Sequence, residues 1–394
     1  MPVWDKIKNF KGLMDLSSLG IANVVGSGIS AVFWFYLASI TETEVYGEIS
    51  YLMAIGGIAS VISLLGSSTT VTIYTAKNVN IVPVVAVISL SSSVVAAITL
   101  LLLFENPALG IYAVGYVIFN LGIGELIGRK LFKNYTKYFI SQKIVMVGLA
   151  IPLFYTIGVN GVVLGFGLSF LVFLPRIYNE FRSSKLEFSV LRPRLGFMMN
   201  SYVLDLARAF SGQTDKLIIA PIFGLSLLGN YYLGLQVLSV LSILPSVVFQ
   251  YILPHDASGK PNKLLKKLTV LFSIILAIVG IFLSPLIIPN LFPKYQDAVI
   301  IIQIISITII PRTISTMLTS KFLGEEKSRF VVIGTLIFLV IQIPSLIFLG
   351  DIYGPSGIAS SLVLAAVSES AYLVTMSRFV KGGNQKPTKD NKIR

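Results

Sequence analysis

Apolar stretches of about twenty residues, the length that carries a helix across a bilayer's hydrocarbon core, recur along this chain almost from end to end. They fall at 17–40, 45–66, 81–104, 108–127, 139–157, 159–178, 201–223, 228–251, 268–289, 297–318, 331–349 and 355–377. Inside lipid every backbone N–H and C=O must be satisfied within its own element or a closed barrel. Twelve stretches of this length therefore predict twelve helices. Composition agrees: only 12% of the 394 residues are charged, against about 25% in a soluble chain. The expected class is an all-α polytopic membrane protein. The first stretch, Leu19 to Ile40, is too long for a signal-peptide core and is followed by many others, so it reads as a retained helix. The narrowest break is Gly158-Val159-Asn160-Gly161, between spans five and six.

Loop charge tests the count. All but four of the 31 lysines and arginines lie in segments 1–16, 67–80, 128–143, 176–200, 252–267, 319–330 and 378–394. The alternate loops hold one cation, Lys294, together with Glu42, Glu44, Glu105, Asp297 and Asp351. Basic loops stay on the cytoplasmic side. Both termini are thus expected in the cytoplasm, in the cell membrane. Losing one span would scramble the alternation. The +13 formal charge is accounted for by these loops beside anionic lipid, so no nucleic-acid partner is expected.

The basic connection from Arg176 to Asn200 divides the spans into six and six. Expected units are an interfacial segment 1–16, a first lobe 17–178, a cytoplasmic linker 179–200, a second lobe 201–377 and a disordered basic tail 378–394. Trp4, Ile7, Phe10 and Met14 recur at helical spacing with lysines between them, which suits a helix lying on the interface. Internal echoes suggest parallel repeats. Ala38 precedes Gly47 by the nine residues that separate Ala220 from Gly229, and Gly158-x-x-Gly161-Val162 matches Gly354-x-x-Gly357-Ile358.

Catalytic signatures are missing: the sequence has no Walker A loop, no HExxH, no GxSxG and no cysteine, and its one histidine is His255. Neither an enzyme nor a cofactor or metal site is expected. Intramembrane charges are the informative residues, because each costs on the order of 3 kcal/mol to place in lipid. Span seven holds Asp205, Arg208, Asp215 and Lys216. Asp205, Arg208, Gly212 and Asp215 are spaced three, four and three residues apart, which places them on one helix face near Gln213. That stripe reads as the wall of a substrate or ion cavity. Arg312, just after Pro311 in span ten, is the second candidate, with Glu369 in span twelve and Glu125 in span four as potential partners. The scattered amides, Asn23 and Gln250 among them, read as helix–helix contacts.

Several segments then resemble one family. Asp215-Lys-Leu-Ile-Ile-Ala-Pro-Ile-Phe-Gly-Leu-Ser-Leu-Leu-Gly229-Asn-Tyr231 is followed by Leu244-Pro245 and Leu253-Pro254. Leu291-Phe-Pro-Lys-Tyr295-Gln-Asp-Ala298 opens span ten, Phe322-Leu-Gly324-Glu-Glu-Lys327 follows it, and Tyr353-Gly354-Pro-Ser-Gly357-Ile-Ala precedes the last span. With Val45-Tyr46-Gly47, these resemble the polysaccharide (lipid-linked oligosaccharide, Wzx-like) flippases of the multidrug/oligosaccharidyl-lipid/polysaccharide exporter superfamily. The resemblance implies two six-helix lobes forming a V around a central cavity and alternating access. It implies a polyprenyl-phosphate-linked oligosaccharide as cargo, pathway glycosyltransferases or a polymerase as partners, and Na+ or H+ as a coupling ion. By analogy with lipid II flippases, Arg208 and Arg312 would hold the pyrophosphate, and Asp205 or Asp215 would couple. Spans one and two hold no arginine. The alternative expectations are a cation-coupled multidrug or metabolite antiporter, with an acidic cavity, and a non-transporting scaffold of a glycan-assembly complex.

Overall fold

The computed structural model describes residues 3–183, 186–257, 261–325 and 327–383, with side chains described between 19 and 379. The side chains of the expected interfacial segment 1–16 and most of the tail expected at 378–394 lie outside the described residues. Every regular element among the described residues is a helix. The first half comprises α1 (Val3–Ile40), α2 (Thr43–Leu64), α3 (Ser67–Ala76), α4 (Val82–Phe104), α5 (Pro107–Gly128), α6 (Phe132–Ile157), α7 (Val159–Ser169) and α8 (Leu174–Ser183). The second comprises α9 (Leu195–Phe223), α10 (Leu225–Leu241), α11 (Ile243–Ala257), α12 (Lys263–Leu291), α13 (Ala298–Ile307), α14 (Ile309–Gly324), α15 (Ser328–Tyr353) and α16 (Pro355–Gly383).

Apart from the short α3, these elements make twelve rods among the described residues. Among the described residues, ten are long and apolar enough to cross a membrane by composition alone: α1, α2, α4, α5, α6, α7 continuing into α8, α12, α13 with α14, α15 and α16. The eleventh is α10 with α11, bent by 45° at their junction. The twelfth is α9, whose 29 residues reach about 43 Å; its four charges set it apart from the other rods.

Proline chemistry fixes two of the internal breaks. A proline has no N–H to offer the carbonyl four residues before it, and its ring clashes there. Pro245 lies four residues after Leu241, where α10 ends, and Pro311 lies four after Ile307, where α13 ends. The narrow break at Gly158 is real: its φ of +64° ends α6, and Gly354 at +57° ends α15 in the same way. Combined with ψ of −139° and −132°, this backbone is open essentially only to glycine. The hairpins α6–α7 and α15–α16 are thus built on one plan, as the repeated Gly-x-x-Gly suggests. One element departs from the sequence reading. Residues 67–80, expected as a loop, begin with the helix α3, set off from α2 by left-handed Leu65 and Gly66.

Each half has its own apolar core. Val82, Val85, Val117, Leu121, Leu126 and Phe173 close one end of the first; Ile219, Leu228, Ile301, Leu346, Ile358 and Leu362 fill the second. A third cluster joins them: Phe33, Trp34, Tyr46 and Phe166 of the first half pack with Leu233, Phe292 and Tyr295 of the second. The lobes flank a central cavity, as expected, and touch at both faces of the bundle.

Candidate functional site

The lobes meet through side chains that the loop sequences deliver in pairs. On the face away from the chain ends, Glu42 before α2 pairs with Lys294 before α13 at 2.8 Å. Thr43 Oγ1 lies 2.8 Å from Ser226 Oγ, and the Thr41 and Tyr295 hydroxyls are 3.2 Å apart. Burial pushes the Tyr295 phenol up to about 12, so it keeps its proton. Deeper in, the Trp34 and Tyr232 rings stand edge to face 5.2 Å apart. On the face carrying the chain ends, the Asn23 amide of α1 donates to Gln250 of α11 at 3.1 Å. That is the helix–helix role expected of these amides.

Between these contacts lies a cavity of about 360 Å3, bordered by Ser50, Tyr112, Gln213, Asp215, Lys216 and Arg312. Asp215 and Lys216 are buried in its wall. Tyr231 O–H donates to Asp215 Oδ2 at 2.8 Å. Lys216 Nζ donates to the Gly212 carbonyl at 2.6 Å and reaches Asp215 Oδ1 at 3.3 Å. The acid is thus satisfied on both oxygens and the lysine is neutralised in place, which removes the main cost of burying either. Gln213 packs beside Gly57 of α2, across the lobe boundary.

Arg312 is different. Its guanidinium lies over the Phe338 ring at 5.9 Å, and no carboxylate stands within 4 Å of it among the described residues. It borders both the first cavity and a second of about 350 Å3 that also contains Glu369, Ser315 and Thr335. Pro311 lets this happen: the break after Ile307 lets α14 restart, with Arg312 in its first turn.

Other candidates separate. Arg208 is exposed and borders a small cavity lined by Leu204, Leu323, Val331 and Val332. Asp205 is half-buried, within electrostatic reach of Tyr116 in the first lobe. The two make no ion pair. Of the stripe read from the spacing, Gln213 and Asp215 share a cavity with Arg312, while Arg208 borders the small one, which meets the Glu369 space at Thr335. Glu125 is no partner of Arg312 either. It lies in the first lobe, paired with Arg129 at 2.6 Å and Arg176 at 2.5 Å.

One cation was missing from the sequence reading. Lys143, counted there among the loop charges of 128–143, sits inside α6. It borders a cavity of about 250 Å3 with Ser27, Ser30, Trp34, Gln236 and Ser239. Gln236 and Ser239 also line the first cavity, so the two spaces adjoin. Lys143 Nζ lies 5.4 Å from the Phe139 ring centroid, one helical turn back; that i, i+4 aromatic was the available signal.

No family model and no curated protein matches the sequence. Solved structures do. One, an inward-facing multidrug resistance MATE family transporter of the MOP superfamily, superposes with a TM-score of 0.67 at 15% identity, over 94% of this chain and 96% of its own. An outward-facing MATE family transporter gives 0.62 at 16% identity, over 95% and 97%. A MOP superfamily transporter from Pyrococcus furiosus, described by the reversed polarity of its binding pocket and a suggested different function, gives 0.59 at 15%, over 94% and 96%. From end to end, this chain shares the two-lobed helical fold of these transporters.

Proposed function

We propose that this protein is an alternating-access transporter that moves an anionic amphiphile, a polyprenyl-phosphate-linked oligosaccharide, between the leaflets of the cell membrane. The carrying observation is the charge of the inter-lobe walls. The two adjoining cavities present Lys143, Lys216 and Arg312 against one acid, Asp215, and Lys216 already answers Asp215. Arg312 also shares a further space with Glu369, yet neither it nor Lys143 of the other lobe has a carboxylate within 4 Å among the described residues, so both remain for a ligand's charge. A guanidinium's planar fork matches phosphate oxygens. The seryl and amide groups around Lys143 and Gln236 suit sugar hydroxyls. In this reading both chain ends lie in the cytoplasm, on the side of the basic loops, and glycan-assembly enzymes supply the cargo.

A second reading, a cation-coupled antiporter of organic cations, is favoured by two acids. Among the described residues, Asp205 and Glu369 of the second lobe have no ion-pair partner within 4 Å, and the similar structures include multidrug resistance transporters. Na+ or H+ would then couple at one of these acids.

Reconstitution in vesicles separates the two. The first reading expects translocation of a fluorescent polyprenyl-diphosphate oligosaccharide, lost in Arg312→Ala. Efflux of a cationic dye driven by a Na+ or H+ gradient, with no movement of the lipid, would replace it with the second.

A further inference from the structure

A further cavity of the second lobe lies away from the lobe interface. It measures about 650 Å3 and opens at the chain-end face among α11, α12, α14 and α16. None of its lining residues borders the inter-lobe cavities. Its inner wall is apolar, formed by Val270, Ile314, Met317, Leu318 and Val374, and its rim is basic. Leu264 and Leu268 of α12 stand exposed beside that rim.

The rim charges are not balanced. Lys266 pairs with Asp256, and Glu325 is held by Lys327 at 2.8 Å. Lys321 reaches Ser377 Oγ at 2.8 Å and ties α14 to α16. Lys263 and Lys267 have no hydrogen-bond or ion-pair partner among the described residues. They follow each other by one turn on the same helix, so both ammonium groups stand along one edge. Asp256, 9% exposed, is already answered there: its Oδ2 accepts from Lys266 and from Ser320 at 2.6 Å.

We infer that this cavity is a binding site for an anionic phospholipid of the surrounding leaflet. Lys263 and Lys267 take the phosphate, and an acyl chain lies along the apolar wall. The chain's own terminal segment is a poor occupant on charge: residues 381–394 hold five lysines and arginines and one acid.

Native mass spectrometry of the full-length protein in detergent, titrated with single lipids, tests the site. Phosphatidylglycerol should bind well above phosphatidylcholine. Lys263→Gln with Lys267→Gln, both at the exposed rim, should weaken phosphatidylglycerol about 25-fold, roughly fivefold for each lysine near a phosphate. Equal binding of phosphatidylcholine, or an unchanged affinity in the double variant, overturns the site. Soluble glycerol phosphate displacing the lipid at comparable concentration overturns the lipid as occupant.

Discussion

Gly47 and Gly229 press their helices against each other reciprocally: a side chain on Gly47 would strike the Leu225 carbonyl, and one on Gly229 would strike the Thr43 carbonyl. The two glycines are the pair marked by the nine-residue echo, so the repeat axis runs through this crossing of α2 and α10. Hydrogen atoms are the only side chains that let the backbones approach this closely. Gly47→Ala should therefore wedge the lobes apart at the face away from the chain ends. Overpacking of this kind costs about 1–3 kcal/mol, which shifts the balance of closed and open at that face between roughly fivefold and 150-fold. Spin labels on the loops flanking Glu42 and Lys294 should show a longer distance distribution in the variant. An unchanged distribution would mean the glycines do not hold this contact.

The absence of cysteine from the whole chain gives a clean background for a second test. Thr43 and Ser226 hydroxyls lie 2.8 Å apart across the lobes, within the reach of a disulfide. Thr43→Cys with Ser226→Cys should cross-link on mild oxidation, arrest transport and recover with reductant. If the cross-linked protein still transports at the wild-type rate, this face does not open in the cycle.

Arg312 and Arg208 are predicted to differ, although the sequence offers them as equals. Arg312→Ala removes a charged donor from the junction of two cavities, and losing a hydrogen bond to a charged group costs about 1.5–3 kcal/mol. Apparent substrate affinity should fall about ten- to 150-fold. Arg312→Lys should recover only part, since an ammonium lacks the fork. Arg208→Ala, at a small apolar-walled cavity, should change affinity less than twofold. Dose–response curves for lipid translocation in vesicles measure all three, and equal losses at both arginines would refute the assignment.

Hydropathy, loop charge and the Gly and Pro punctuation carried the fold, because each acts locally: Gly158 and Gly354 end helices through their own φ, and Pro245 and Pro311 through the carbonyl four residues back. The site was legible only where one helix decides it, as with Asp215 beside Lys216 and Gln213. Arg208 parts from Asp215 by depth and not by face: seven residues put the two about 20° apart around α9 but about 10 Å apart along it, and spacing does not say which neighbours stand at each depth. Lys143 was hidden by a boundary. With α6 beginning at Phe132, it lies more than two turns inside the helix, whereas its basic neighbours Lys130, Lys133 and Lys137 made it look like part of a loop. Tyr231, which holds Asp215, follows it by sixteen residues on another helix, and no local pattern couples them.

The Asp215–Lys216 pair sets the last prediction, one of stability. Both side chains are buried, and Tyr231 and the Gly212 carbonyl complete the set. Asp215→Asn leaves Lys216 charged and without its counter-ion, and breaking a buried pair from one side costs about 3–5 kcal/mol. Tyr231→Phe removes one hydrogen bond to a charged acceptor, at about 1.5–3 kcal/mol. Replacing both members, Asp215→Leu with Lys216→Met, takes out the two charges together and should destabilise less than Asp215→Asn alone. Thermal unfolding of the purified protein in detergent should therefore rank the melting temperatures as wild type highest, then Tyr231→Phe, with Asp215→Asn lowest and the double variant above it. If the double variant melts below Asp215→Asn, the pair contributes net stability beyond mutual neutralisation, and the account of Lys216 as a charge answered in place fails.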